Sequence, residues 1–93
     1  MKCYRFEETV DFETVYHSSF FSKGNDCKNA AIASVSEKSN RYGVELYRCD
    51  NYGDADALFY DWKLYAMVFR DIDTSCVKYR DDAGVSAYCG VKS

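Results

Sequence analysis

Apolar and polar positions alternate from Cys3 to Val10, with Tyr4 and Phe6 on one face and Arg5 and Glu7 on the other. A period of two predicts a strand. Phe12 to Phe21 repeats the pattern: Phe12, Tyr16 and Phe20 share a parity, and Val15 and Phe21 take the opposite one. The two segments are expected to be consecutive antiparallel strands turning near Asp11. The period then changes. Ser22-Lys23-Gly24-Asn25-Asp26 breaks the strand, and Asn25 or Asp26 can accept the free N–H groups of a first helical turn. Cys27, Ala30, Ala31, Ser34 and Val35 follow at helical spacing. A main helix over about 26–39 should therefore turn a narrow stripe of small residues toward a sheet, leaving Lys28, Ser36 and Glu37 in water. Gly43 suits the helix end, free to take positive φ.

Val44 to Cys49 alternates again, and Asp50-Asn51-Tyr52-Gly53 has the composition of a turn. Ala55, Leu58, Phe59 and Trp62 fall at helical spacing, so a short second helix near 55–60, capped by Asp54, is possible. Trp62, Leu64, Ala66 and Val68 then read as the inward face of a strand at about 63–70. Thr74 to Arg80 and Val85 to Cys89 complete the chain, joined by Asp81-Asp82-Ala83-Gly84 with the glycine in a left-handed position. This order lacks regular strand–helix alternation. It predicts an α+β domain: a mostly antiparallel sheet of about five strands with one main helix packed on a face. Residues 1–93 should form a single compact domain, and Tyr4, Phe6, Phe12, Tyr16, Phe20 and Trp62 are the aromatic residues expected in its core.

With 47% hydrophobic and 29% charged residues, the 93-residue chain has the composition of a folded protein without a membrane span. No apolar run approaches the ~18 residues that would cross a bilayer. Met1-Lys2-Cys3-Tyr4-Arg5-Phe6-Glu7-Glu8 reaches two acids before any apolar stretch, so a secretory signal is not expected and a cytoplasmic place is. Cys3, Cys27, Cys49, Cys76 and Cys89 are odd in number and show no CxxC spacing, which reads as reduced, buried thiols, with Cys76–Cys89 the leading exception. The net charge of −3 and the scatter of Lys and Arg give no clustered basic face, so direct nucleic-acid binding is not expected.

Little in the chain asks for an enzyme, a cofactor or a metal. Phosphate-loop, dinucleotide and nucleophile-elbow motifs are missing. Carboxylate pairs drawn from Glu7, Glu8, Asp71 and Asp73 arise by chance among fifteen acids. A calcium loop starting at Asp50 fails at its third and sixth positions, where Tyr52 and Ala55 stand. Cys27 at a helix start with His17 as base is the one thiol arrangement available, and Asp26 beside it would oppose a thiolate.

The segment from Asp50 to Trp62 is the strongest candidate. Asp50, Asp54, Asp56 and Asp61 stand there without a single base, interleaved with Tyr52, Phe59, Tyr60 and Trp62. Acids around aromatic anchors suit a basic partner surface, including one that ordinarily holds nucleic acid. Asp50, Tyr52, Asp54, Asp56, Tyr60 and Asp61 are therefore the expected contact residues, while Phe59 and Trp62 could equally be core. In its size, acidic balance and aromatic strands such as Cys3-Tyr4-Arg5-Phe6 and Asp61-Trp62-Lys63-Leu64-Tyr65, the chain resembles in kind the small phage-encoded inhibitors of bacterial defence, anti-CRISPR proteins among them. That resemblance implies a non-enzymatic inhibitor in the host cytoplasm that binds a larger host protein or ribonucleoprotein complex. A small nucleic-acid binder using Arg41, Arg48, Arg70 and Arg80, or a thiol-dependent regulator using Cys27, are the alternatives.

Overall fold

The alternating segments become strands, as a computed structural model describing residues 2–10, 13–37, 43–71 and 73–88 shows. They are β1 (Cys3–Val10), β2 (Glu13–His17), β3 (Gly43–Cys49), β4 (Trp62–Arg70), β5 (Val77–Asp81) and β6 (Gly84–Tyr88), with the helix α1 (Gly24–Glu37) between β2 and β3. All pairings are antiparallel, and the six strands lie in the order β2-β1-β3-β4-β5-β6, one more than the five expected. The α+β class stands. The short second helix near 55–60 does not form: residues 55–60 are turns and bends. The turn near Asp11, Phe12, Arg41 and Cys89 lie outside the described residues.

α1 lies across β1, β3, β4 and β5. Cys27, Ala31, Ile32 and Val35 of the helix meet Phe6, Val44, Leu46, Ala66, Val68, Val77 and Tyr79 of the sheet in one apolar cluster. The small helix residues let the two layers approach, as their spacing predicted, but the stripe is rotated. Ile32 and Ser36 are buried, Ser34 is only half-buried, and Lys28 rests its ammonium 4.4 Å from the Tyr79 ring centre. The helix also starts earlier than expected, at Gly24, so Asn25 and Asp26 sit inside its first turn. Gly24 sits close to a ring: a Cβ there would stand 3.2 Å from Tyr4, which would have to give by a few tenths of an ångström.

Gly43 does not supply a positive φ at the helix end. It opens β3, and a Cβ there would lie 2.7 Å from the Val68 carbonyl oxygen and 2.9 Å from Phe69 Cβ. The helix end is completed from elsewhere. Its last turn holds no basic residue. Arg70, at the end of β4, donates from Nη2 to the Val35 and Ser36 carbonyls at 3.1 and 3.2 Å, and from Nη1 to the Ser75 carbonyl at 2.9 Å. A guanidinium placed on the open carbonyls answers the negative end of the helix dipole.

Two irregularities decide which residues face away from the helix. In β3–β4 the register passes from Leu46↔Ala66 to Tyr47↔Leu64, so Tyr65 is an extra residue on β4. One inserted residue reverses the side of everything before it. Ala66 and Val68 point at the helix as expected, whereas Leu64, 51% exposed, and Trp62 lie on the open face instead of inward. In the N-terminal hairpin β2 is shorter than Phe12–Phe21. The Ser18 hydroxyl accepts the Phe6 N–H at 2.9 Å in place of a ladder carbonyl, and Phe21 rejoins the sheet through a bridge to Tyr4. Phe20, between the two, and Tyr16, on β2, are exposed by about half rather than core.

The last two loops are local. Ser75 takes φ of 61°, and Asp71 accepts the Asp73 N–H at 2.9 Å while pairing with Lys78 at 2.6 Å, so β5 begins at Val77 rather than Thr74. Asp82-Ala83 closes β5–β6, with Gly84 at φ 135° and Asp81 accepting the Ala83 N–H at 2.9 Å. Cys3, Cys27 and Cys49 are free and buried. Cys76 is disulfide-bonded, and Cys89, its expected partner, lies outside the described residues.

Candidate functional site

Asn51 closes the loop between β3 and β4 at its neck. Its Oδ1 accepts the Asp61 N–H at 3.1 Å and its Nδ2 donates to the Phe59 carbonyl at 3.2 Å. The Cys49 thiol, at the end of β3, also donates to Oδ1 at 3.0 Å. One amide thus ties residue 51 to both 59 and 61, and a surface loop with joined ends and its own packing is a frequent carrier of function. Gly53, at φ 83°, makes the first bend possible.

The packing comes from aromatic rings on the sheet face away from the helix. Tyr52 and Tyr60 meet across the loop at 4.6 Å between ring centres, tilted by 43°. Tyr52 continues to Phe20 at 5.1 Å, and Phe20 stacks on Trp62 at 5.6 Å with 20° between planes. Arg5 sits 4.5 Å from the Trp62 ring centre and pairs with Glu7 at 2.7 Å. Glu7 is buried for a carboxylate, and it is held by Arg5, by the Thr14 hydroxyl at 3.2 Å and by His17 at 3.5 Å. These partners offset its desolvation. The rings and the guanidinium brace the loop from below, each such pair contributing about 0.5–1.5 kcal/mol.

The six residues expected to form the contact face divide by position. Tyr52 and Tyr60 come together, as part of the brace. Asp50 and Asp61 stand at the neck beside Arg48 at 3.2 Å and Lys63 at 3.6 Å, which offsets their charge. Asp54 and Asp56 are exposed midway along the loop. Phe59, weighed as either anchor or core, and Leu58, expected only on a helical face, project into solvent at 73% and 96% exposure. Their helical spacing with Ala55 and Trp62 pointed to a buried face; the acids on both sides were the signal that no such face exists. Phe20, Arg5 and Asn51 were absent from the expected set because their roles depend on strands brought together by folding.

The other chemistries find little in the geometry. Cys27 is fully buried between helix and sheet, where desolvation pushes its thiol up to about 11, away from a reactive thiolate. Its polar neighbour is the Tyr65 hydroxyl, itself raised by burial, while His17 lies with Glu7 on the opposite face. Arg48, Arg70 and Arg80 are spread over different contacts: Asp50, the helix end, and Met67 with Phe69. Among the described residues no group of three or more His, Cys, Asp or Glu could hold a metal ion, and no helix is long and apolar enough to cross a membrane. The chain matches no protein-family model, no curated protein and no solved structure among those compared.

Proposed function

We propose that this protein is a non-enzymatic binding protein that inhibits a larger host nucleoprotein complex by seating the 50–61 loop on a basic surface. The observation that carries this reading is the pair Leu58 and Phe59, 96% and 73% exposed beside the neck of a braced loop. Leaving two such side chains in water forgoes about 1.5–3 kcal/mol each that a partner could recover by burying them. Asp54 and Asp56 beside them give electrostatic attraction toward Lys and Arg, and the Asn51 neck with its aromatic brace lowers the ordering cost of binding. The inhibitory role follows from the resemblance to small phage inhibitors.

The test is twofold. Expression of the protein in bacteria carrying an active RNA-guided nuclease should restore transformation by a targeted plasmid. With the affected complex in hand, Asp54→Asn with Asp56→Asn should slow association and flatten its salt dependence, and Leu58→Ser with Phe59→Ser should speed dissociation. Binding that is indifferent to both double variants rejects the face; no inhibition across a panel of defence complexes rejects the role.

A further inference from the structure

β1 and β3 place Cys3 directly opposite Cys49 in register. Both thiols are free and buried. Facing residues in an antiparallel pair have Cα atoms about 4.5–5.5 Å apart, within the span that a disulfide bridges. Cys49 is also the residue whose S–H donates to Asn51 Oδ1, the atom that holds the Asp61 N–H and so the neck of the loop. We propose that Cys3 and Cys49 are an oxidative modification site, closed to a cross-strand disulfide by a small-molecule disulfide such as oxidised glutathione, and that closure loosens the 50–61 loop. The site stands on strand register and the loop-neck hydrogen bonds, independently of any partner.

Cys3 is the entry point, because it is the first residue of β1, next to exposed Lys2, where a strand end frays. Its thiol loses a proton, and the thiolate attacks one sulfur of the small disulfide, expelling one small thiolate and forming a mixed disulfide. Cys49 then loses its proton and attacks Cys3 Sγ, expelling the second small thiolate. The two expelled thiolates take up the two protons. Two electrons pass from the protein thiols to the small disulfide, which leaves as two thiols. Burial raises the Cys3 thiol, so the exchange is slow and responds to sustained rather than transient oxidation. Once Cys49 has no S–H, Asn51 Oδ1 loses one of its two donors and the loop neck one of its three hydrogen bonds. The third buried thiol, Cys27, is the competitor for Cys3.

The experiment treats the full chain with excess oxidised glutathione, maps disulfides by non-reducing peptide mass analysis, and follows amide hydrogen exchange at Asp61. The expected result is a Cys3–Cys49 cross-linked peptide and Asp61 exchange about five-fold faster, the weight of one neutral hydrogen bond, both reversed by a thiol reductant. Cys49→Ala should show the faster exchange without oxidant. Cys49→Ser, which keeps a hydroxyl donor for Asn51, should keep the slow exchange and form no cross-link. A Cys3–Cys27 bridge, a glutathione adduct on Cys3 that never resolves, or a Cys3–Cys49 bridge that leaves Asp61 exchange unchanged would each overturn the proposal.

Discussion

Replacing Arg70 tests whether the sheet completes the helix. Arg70→Met keeps the aliphatic stem and removes the guanidinium that reaches the Val35, Ser36 and Ser75 carbonyls. Two costs follow. Hydrogen bonds from a charged donor contribute about 1.5–3 kcal/mol when partly buried, with the exposed Ser75 bond at the low end or below it. A cation on a helix C-terminus adds about 0.3–1 kcal/mol, and α1 has no basic residue of its own in the last turn to take over. These contributions overlap, so the expected loss is about 2–3 kcal/mol, a large part of the ~5–10 kcal/mol available to a domain of this size. Urea unfolding followed through the single tryptophan, Trp62, reads the loss directly. With a slope of about 1–1.5 kcal/mol/M the midpoint should fall by about 2 M. Arg70→Lys, which keeps the charge but not the fork, should fall by about half as much. A midpoint within ~0.3 M of the parent for Arg70→Met would refute the idea that this side chain carries the helix end.

Other substitutions separate stability from binding. Leu58→Ser with Phe59→Ser should leave stability within about 0.5 kcal/mol, since both side chains are already largely in water, and a melt that drops by more would show that the pair packs against something. Gly43→Ala should cost about 1–3 kcal/mol by chemical denaturation, because its Cβ would press on the Val68 carbonyl and Phe69. Burial pushes the Cys27 thiol up to about 11 and the Tyr79 hydroxyl to about 12, so the fold favours their neutral forms. Their contribution is then complete below pH ~9 and is lost as pH rises through about 11–12. Melting temperatures between pH 8 and 12 should fall along that course, less steeply in Cys27→Ala, and a flat profile would contradict the raised values.

What could be read along the chain was local and periodic. The alternation of Tyr4, Arg5, Phe6 and Glu7 gave β1 and its two faces, and Asp81-Asp82-Ala83-Gly84 gave the hairpin with its positive-φ glycine. The errors come from events without a local signature. Tyr65 looks like any strand aromatic, yet its insertion into the ladder turns Trp62 and Leu64 to the open face. Ser18 looks like a polar strand residue, yet its hydroxyl replaces a backbone partner and frees Phe20 to stack on Trp62. In the loop, Ala55, Leu58, Phe59 and Trp62 have helical spacing, but no surface receives that face. Asn51 fixes the backbone there through bonds that span eight and ten residues. The acids of the loop were legible from composition alone, whereas the pairing of Asp50 with Arg48 and of Asp61 with Lys63 depended on the neighbouring strands.

The strand order β2-β1-β3-β4-β5-β6 has a kinetic consequence. Four of its five pairings join strands that are neighbours in the chain, and only β1–β3 must close a loop that contains β2 and the whole of α1. The hairpins can zip early at little entropic cost, while the β1–β3 register waits on the helix to bring the ends together. Substitutions in the contact between β1 and β3, such as Phe6→Leu or Leu46→Val, should therefore report on the rate-limiting step. If that closure is the barrier they slow refolding, whereas core changes at Val77 on β5 chiefly hasten unfolding.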